Sequence, residues 1–258
     1  MPASRLMVVA ALVLSTFAAL FSGAALLFSA GIIGDRNGSP SGDFAAQAEA
    51  FILANPEVLI ESVQQLEARQ QTAAADELKT LIGERRDEIF NDPASPVLGN
   101  EAGDVTLVEF FDYNCPYCRK AAPLMAELQA SDQNVRLVYK EFPILGPGSA
   151  FAARAALASQ KQGKYAEFHE AMMTHSGAID ESSTLEIARR IGLDIDQLQQ
   201  DMQDPAIEDS IQRNLALAGD LRINGTPSFV VGDDIIRGLT DLPTLQGLIA
   251  EARAPSDG

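Results

Sequence analysis

The chain has 258 residues, 47% hydrophobic and 21% charged, enough apolar material for one substantial domain and a smaller piece. Its formal net charge is −17 and no basic run occurs, which excludes nucleic acid and anionic lipid as partners held by clustered Lys and Arg. It has two cysteines, and a bridge across two intervening residues closes too short a loop to be a stabilising framework.

Residues 6–33 (LMVVAALVLSTFAALFSGAALLFSAGII) carry no charge, lie between Arg5 and Asp35, and are long enough to span a bilayer. Two readings fit: an uncleaved signal anchor, or a signal peptide cut after a small-residue site such as Ala24. Either exports the remainder of the chain to an oxidising compartment, the periplasm of a Gram-negative host, and an uncleaved segment would tether it to the inner membrane. Residues 34–43 (GDRNGSPSGD) read as a linker.

Residues 44–90 read as helical, with Phe51, Ile52, Val58, Leu59, Val63 and Leu66 forming an apolar stripe and Asn55-Pro56 restarting the helix. Such a stripe must be buried, either on the rest of the chain or against a second copy as an oligomerisation region. The run Asn91 to Pro96 marks a boundary. Residues 105–111 (VTLVEFF) and 135–142 (VRLVYKEF) are predicted strands, and a helix is expected from the Cys-Pro-Tyr-Cys motif to about Ala130. Residues 147–222 are helical by pattern. Residues 228–232 and 234–237 form a predicted hairpin around Gly232-Asp233, and a last helix covers about 241–253. This order is α/β: a thioredoxin fold with an all-helical insertion at about 147–222, in a domain over 91–258, preceded by the helical segment 44–90, the linker and the export segment 1–33.

Cys115-Pro116-Tyr117-Cys118 stands where a strand turns into a helix. A sulfur there meets unpaired backbone N–H groups and the positive end of the helix dipole, both of which favour thiolate. Pro116 has no N–H to lose in the first turn. Cys115 is therefore the expected exposed nucleophile, and Cys118, one turn on, the resolving thiol. Tyr117 brings no cation, so the site should be less oxidising than one with His there. Zinc needs about four ligands, and one Cys pair with His169 and His175 on a predicted insertion helix does not supply them. No metal and no cofactor is expected, and the two histidines read as helix-surface or boundary residues. Asn224-Gly225-Thr226-Pro227-Ser228-Phe229 leads into the hairpin. In a thioredoxin core this proline is cis and lies against the disulfide, so Thr226 and Pro227, with Pro116 and Tyr117, are the candidate substrate-binding residues; the Thr226 backbone would pair with an extended client peptide.

The segments VTLVEFFDYNCPYCRKAAP, KEFPILGPGS and NGTPSFVVG, in this order, resemble the DsbA-like thioredoxin-domain family, and FILANPEVLIESVQQLE resembles the N-terminal segment of its ScsC-like exported members. The resemblance implies a thiol–disulfide oxidoreductase acting on client proteins with cysteines. It also implies a membrane redox partner of the DsbB or DsbD/ScsB type and a homo-oligomer. Glu109, six residues before Cys115, matches the buried acid beneath the disulfide and would relay a proton to Cys118; the alternative is an ordinary strand carboxylate paired with Lys140. Two departures, Pro-Tyr for Pro-His and Thr226 for Val, turn the expectation from pure oxidase towards isomerase or reductase. Two alternatives stand beside it: a periplasmic holdase, and a copper-binding protein of a copper-tolerance system using the thiols as soft ligands.

Overall fold

The computed structural model describes residues 42–254. The apolar segment 6–33 and most of the predicted linker lie outside them. No helix among the described residues is long and apolar enough to cross a membrane.

The chain divides into two compact units, one up to Gln70 and one from Gln71 onwards. The first holds helix α1 (Gly42–Ala54) and the beginning of α2 (Glu57–Glu84), with the break at Asn55-Pro56. Phe44, Phe51, Leu53, Leu59, Ile60, Val63 and Leu66 are exposed along it.

The second unit is built on a five-stranded sheet in the order β1-β3-β2-β4-β5. Its strands are β1 (Val97–Gly99), β2 (Val105–Phe111), β3 (Val135–Glu141), β4 (Ser228–Val231) and β5 (Asp234–Arg237). β2 and β3 run parallel, joined by α4 (Pro116–Ser131) as a βαβ unit, while β1, β4 and β5 each pair antiparallel with their neighbours. The edge strand β1 carries no sequence expectation. Three residues after a Pro-rich turn show no periodicity, and pairing with β3 alone makes them a strand.

Between β3 and β4 lie α5 (Pro147–Ser159), a 3₁₀ turn, α6 (Tyr165–Met173), α7 (Glu181–Arg190), α8 (Ile195–Asp201) and α9 (Pro205–Asp220). Helix α10 (Leu242–Arg253) follows the hairpin, and a short α3 (Arg86–Phe90) precedes β1. Asp180, Asp194, Asp204 and Asp241 cap α7, α8, α9 and α10 through side-chain oxygens that accept from backbone N–H groups.

Alternation along the strands splits the core into two layers. Leu107, Phe111, Leu137, Tyr139, Phe229 and Val231 face α4, α10 and the helical insertion. Val108, Phe110, Val138 and Val230 face Ile82, Ile89, Phe90, Leu217 and Leu221. Full burial of a side chain of this size contributes about 1.5–3 kcal/mol, so both faces of the sheet are anchored and the end of β2, where the cysteines begin, is held from above and below.

Candidate active site

The site starts at the carboxyl end of β2, where the chain must leave the sheet and start a helix within four residues. Asp112 organises the turn. Its carboxylate accepts from Asn114 N–H (2.8 Å), Ser149 Oγ (2.7 Å) and Leu145 N–H (2.9 Å), and its carbonyl accepts from Cys115 N–H (3.0 Å). The Asn114 amide donates to Ile179 O (2.8 Å) and accepts from Ile179 N–H (2.8 Å), which clamps the turn to the α6–α7 connection. Arg119, just after Cys118, donates to the carbonyls of Tyr113 (3.0 Å), His175 (3.2 Å) and Gly177 (2.6 Å). Sequence reasoning missed all three. The visible signal was two Asx residues flanking a strand-to-helix turn, where such side chains bond nearby backbone.

Cys115 is the N-cap of α4, with Pro116 in the first turn. The Cys118 N–H donates to Cys115 Sγ at 3.4 Å, and Cys115 Sγ lies 3.2 Å from the carbonyl oxygen of Thr226. Both cysteines are free thiols in this structure. The Cys115 thiol is pulled down to about 5, first by its hydrogen bond with the Cys118 thiol, with Thr226 and the backbone N–H groups of Cys118 and Tyr117 adding against the opposing effect of burial. The Cys118 thiol is pushed far up, by burial first, then by the bond to Cys115 and the charge of Glu109. The two sulfurs thus divide into an acidic thiol and a protonated one. The expectation of an exposed nucleophile needs correction, because Cys115 is only 4% exposed against 0% for Cys118. The Thr226 loop lies over the sulfur, which sequence spacing does not show. Tyr117, 54% exposed, and Pro116 beside it are the open members of the motif.

The Thr226-Pro227 peptide is cis. Thr226 is half-buried and Pro227 buried, and the loop is tied by Ser228 Oγ donating to Gly225 O (2.9 Å).

Glu109 is buried on the same face of the sheet as Tyr139, its partner across β2 and β3. Burial first, and the nearby Cys115 charge second, push its carboxyl up to about 8. The expected pairing with Lys140 does not form. The register sets Lys140 opposite Phe110, so alternation turns its side chain through the other face, where Nζ donates to Glu88 O and Ser95 Oγ (2.7 Å each) with Asp92 at 3.6 Å. Glu109 Oε1 has no hydrogen-bond partner among the described residues. A buried acid with no cation, close enough to both sulfurs to feel their charge, can hold or release a proton near Cys118.

His169 is not a surface residue. It is 6% exposed, packs edge-on against Phe111 and stacks on Tyr165, and its Nδ1 is 3.2 Å from the Tyr113 hydroxyl. Tyr113 and Tyr165 both donate to Glu141 Oε1 (3.0 Å each). Among the described residues no three His, Cys, Asp or Glu side chains are grouped to hold a metal ion.

This architecture agrees with known proteins. Residues 106–250 match the DSBA-like thioredoxin domain, and residues 43–73 match the N-terminal domain of the copper resistance protein ScsC. A thioredoxin-like oxidoreductase from Silicibacter pomeroyi is 56% identical, with 65% of this chain and 97% of that one aligned at a TM-score of 0.65. A periplasmic thioredoxin-like protein from Salmonella enterica serovar Typhimurium is 30% identical, over 65% of this chain and 94% of that one, with a TM-score of 0.59. The chain is also 30% identical over 160 residues to the Na(+)/H(+) antiporter NhaA 3 of Salinispora tropica, a match covering 61% of this chain and 24% of the antiporter. It therefore spans about a quarter of the length of the curated antiporters it matches. The family match runs from the second residue of β2 through most of α10 and includes both cysteines and the cis-proline loop, and on that ground the chain belongs to the DSBA-like thioredoxin domain family.

Proposed function

We propose that this protein is a thiol–disulfide oxidoreductase that acts on disulfides of exported client proteins, with isomerase or reductase work favoured over pure oxidation. One observation carries the reading: an acidic thiol at a helix N-terminus, Cys115, whose sulfur accepts from the backbone N–H of Cys118, itself a strongly protonated thiol, beneath a cis-proline loop.

The chemistry balances without a cofactor. The Cys115 thiolate attacks one sulfur of a client disulfide, forming a mixed disulfide and releasing the other client sulfur as thiolate. In reduction, Cys118 loses its proton, attacks Cys115 Sγ, and leaves a Cys115–Cys118 disulfide and a second client thiolate. In isomerisation a client thiolate attacks the mixed disulfide instead and returns Cys115 reduced. Once Cys115 is tied up in the mixed disulfide its charge no longer holds the Glu109 carboxyl up, and the ionised fraction of Glu109 receives the Cys118 proton in the first route, directly or through water. Thr226 and the exposed Tyr117 offer the surface along which an extended client lies, and the Thr226 N–H has no hydrogen-bond partner among the described residues.

A periplasmic setting is supported by the named compartment of the Salmonella relative and by the apolar segment 6–33. Self-association through the helical segment 44–90 is supported by the exposed apolar side chains from Phe44 to Leu66 and the ScsC N-terminal match over 43–73. A membrane redox partner is what an enzyme of this type needs to be reset.

Reactivation of scrambled ribonuclease by the full chain tests the proposal. Wild type should restore activity in a redox buffer; Cys115→Ser should abolish it, and Cys118→Ser should accumulate mixed disulfides. Suppression of client aggregation that survives both substitutions, without any disulfide exchange by wild type, would replace the enzyme with a holdase. Stoichiometric Cu(I) binding without exchange would replace it with a copper carrier.

A further inference from the structure

A second concave site, lined by neither cysteine, lies in the second unit and reaches Arg119 at its edge. Strand β1, helix α4 and helix α6 enclose a cleft of about 810 Å³, within the size range of small-molecule sites. Its walls are largely apolar: Val97 and Leu98 from β1, Ala122 and Ala126 from α4, Ala166 and Met173 from α6.

The floor differs from the walls. Tyr139 and His169 line the cleft and are 4% and 6% exposed. The Tyr139 hydroxyl and His169 Nε2 have no hydrogen-bond partner among the described residues. Neither belongs to the sealed, unpartnered side-chain atoms, which are Glu109 Oε1, Thr184 Oγ1 and Ser210 Oγ. Both therefore reach open space, and the open space these side chains share is this cleft. Two polar atoms on largely buried side chains, without protein partners and open only to one apolar cleft, point to a ligand that takes up their bonds there.

The bonds around His169 set what that ligand must offer. Tyr113 gives its proton to Glu141 Oε1, so its oxygen accepts from His169 Nδ1–H. Nε2 is then the bare lone pair of a neutral imidazole, an acceptor that calls for a donor. The Tyr139 hydroxyl, on the neighbouring ring, donates or accepts. A single ligand hydroxyl can satisfy both, and the flat rings of Tyr139 and His169, 4.6 Å apart, suit an aromatic body. Glu101 and Glu170 stand at the mouth, exposed and without ion-pair partners among the described residues. The one cation lining the cleft among the described residues, Arg119, is turned by Nε and Nη1 onto three backbone carbonyls, and the two carboxylates at the mouth outnumber it. Anions are therefore disfavoured.

We propose that the cleft between β1, α4 and α6 binds a small, uncharged phenol-class molecule, its ring between the apolar walls and its hydroxyl on His169 Nε2 and the Tyr139 hydroxyl. This site is independent of the dithiol chemistry and needs neither cysteine.

Calorimetric titration of the full chain with 2-naphthol tests it, with naphthalene and 2-naphthoate as matched probes. The expected result is saturable one-to-one binding of 2-naphthol, with naphthalene about tenfold weaker for lack of the hydroxyl and 2-naphthoate weaker still. Ala126 and Ala166 are exposed on facing walls, so Ala126→Trp and Ala166→Trp fill the cleft without entering the core. Each should remove binding while leaving insulin reduction unchanged. His169→Phe should narrow the gap between 2-naphthol and naphthalene, leaving only the Tyr139 bond, and the probe comparison stands alone if that variant does not fold. No saturable binding, equal affinity for 2-naphthol and naphthalene, tighter binding of 2-naphthoate, or affinity untouched by both tryptophan variants would each overturn the proposal.

Discussion

Reducing the protein and raising the pH should reveal how strongly the fold holds Cys115 as thiolate. The thiol lies near 9 in an unstructured chain and is drawn to about 5 in the folded one. Between these limits the unfolded chain binds the proton that the folded chain has released, so stability rises with pH from about 5 towards 9. At pH 7, about two units above the folded midpoint, the part of the shift expressed is about 2.7 kcal/mol, and screening by water at the mouth of the site reduces this to about 1–2 kcal/mol. The same energy favours the dithiol over the disulfide and raises the reduction potential by about 20–45 mV. Glu109 acts in the opposite sense over nearly the same range. Its carboxyl is held up at about 8, so the folded chain keeps a proton that the unfolded chain gives up, and stability falls as pH rises from about 4.5 to 8. The wild-type curve alone therefore hides both. Urea denaturation of reduced wild type and reduced Cys115→Ser at pH 5, 7 and 9 separates them, and thiolate absorbance near 240 nm gives the midpoint directly. A thiolate midpoint close to 9, or a stability difference between the two proteins that does not grow with pH, would refute the assignment of Cys115 as the activated sulfur.

The buried charges give two other expected outcomes. Glu109→Gln should leave stability nearly unchanged at pH 5 and raise it by about 2–5 kcal/mol at pH 8 and above, where the wild-type carboxylate is buried and unpaired. Denaturation at the two pH values checks this, and a loss of stability at pH 8 would show a partner for Glu109. Lys140→Met should cost about 1–3 kcal/mol at pH 7, since Ser95 Oγ and Glu88 O lose their donor. It should not change the alkylation rate of Cys115, because Lys140 lies through the other face of the sheet; an altered rate at unchanged stability would place Lys140 in the redox site instead.

The elements around the cysteines were legible in the chain because their causes are local. A β-branched run ending at Phe111, a proline in the first helical turn and a Gly-Thr-Pro ahead of a second β-rich run each describe a stretch of a few residues. Those stretches became β2, the start of α4 and the cis-proline loop. The heptad-like stripe from Phe51 to Leu66 was equally plain, and so was the helical character of 147–222.

What needed the tertiary structure is everything that depends on how distant stretches meet. Glu109 and Lys140 look like a pair in sequence, yet the β2–β3 register sends their side chains to opposite faces, and only the register decides that. His169 has an ordinary helical neighbourhood, but the packing of α6 against Phe111, Tyr113 and Tyr139 buries it. The cover over Cys115 comes from a residue 111 positions away, and the clamp from Asn114 reaches a backbone 65 positions away. Sequence alone determined which sulfur heads the helix, since dipole and unpaired N–H groups follow from a helix starting there. How acidic that sulfur is, and which buried acid shares its field, was decided by long-range packing, because desolvation and hydrogen-bond geometry exist only once the layers close.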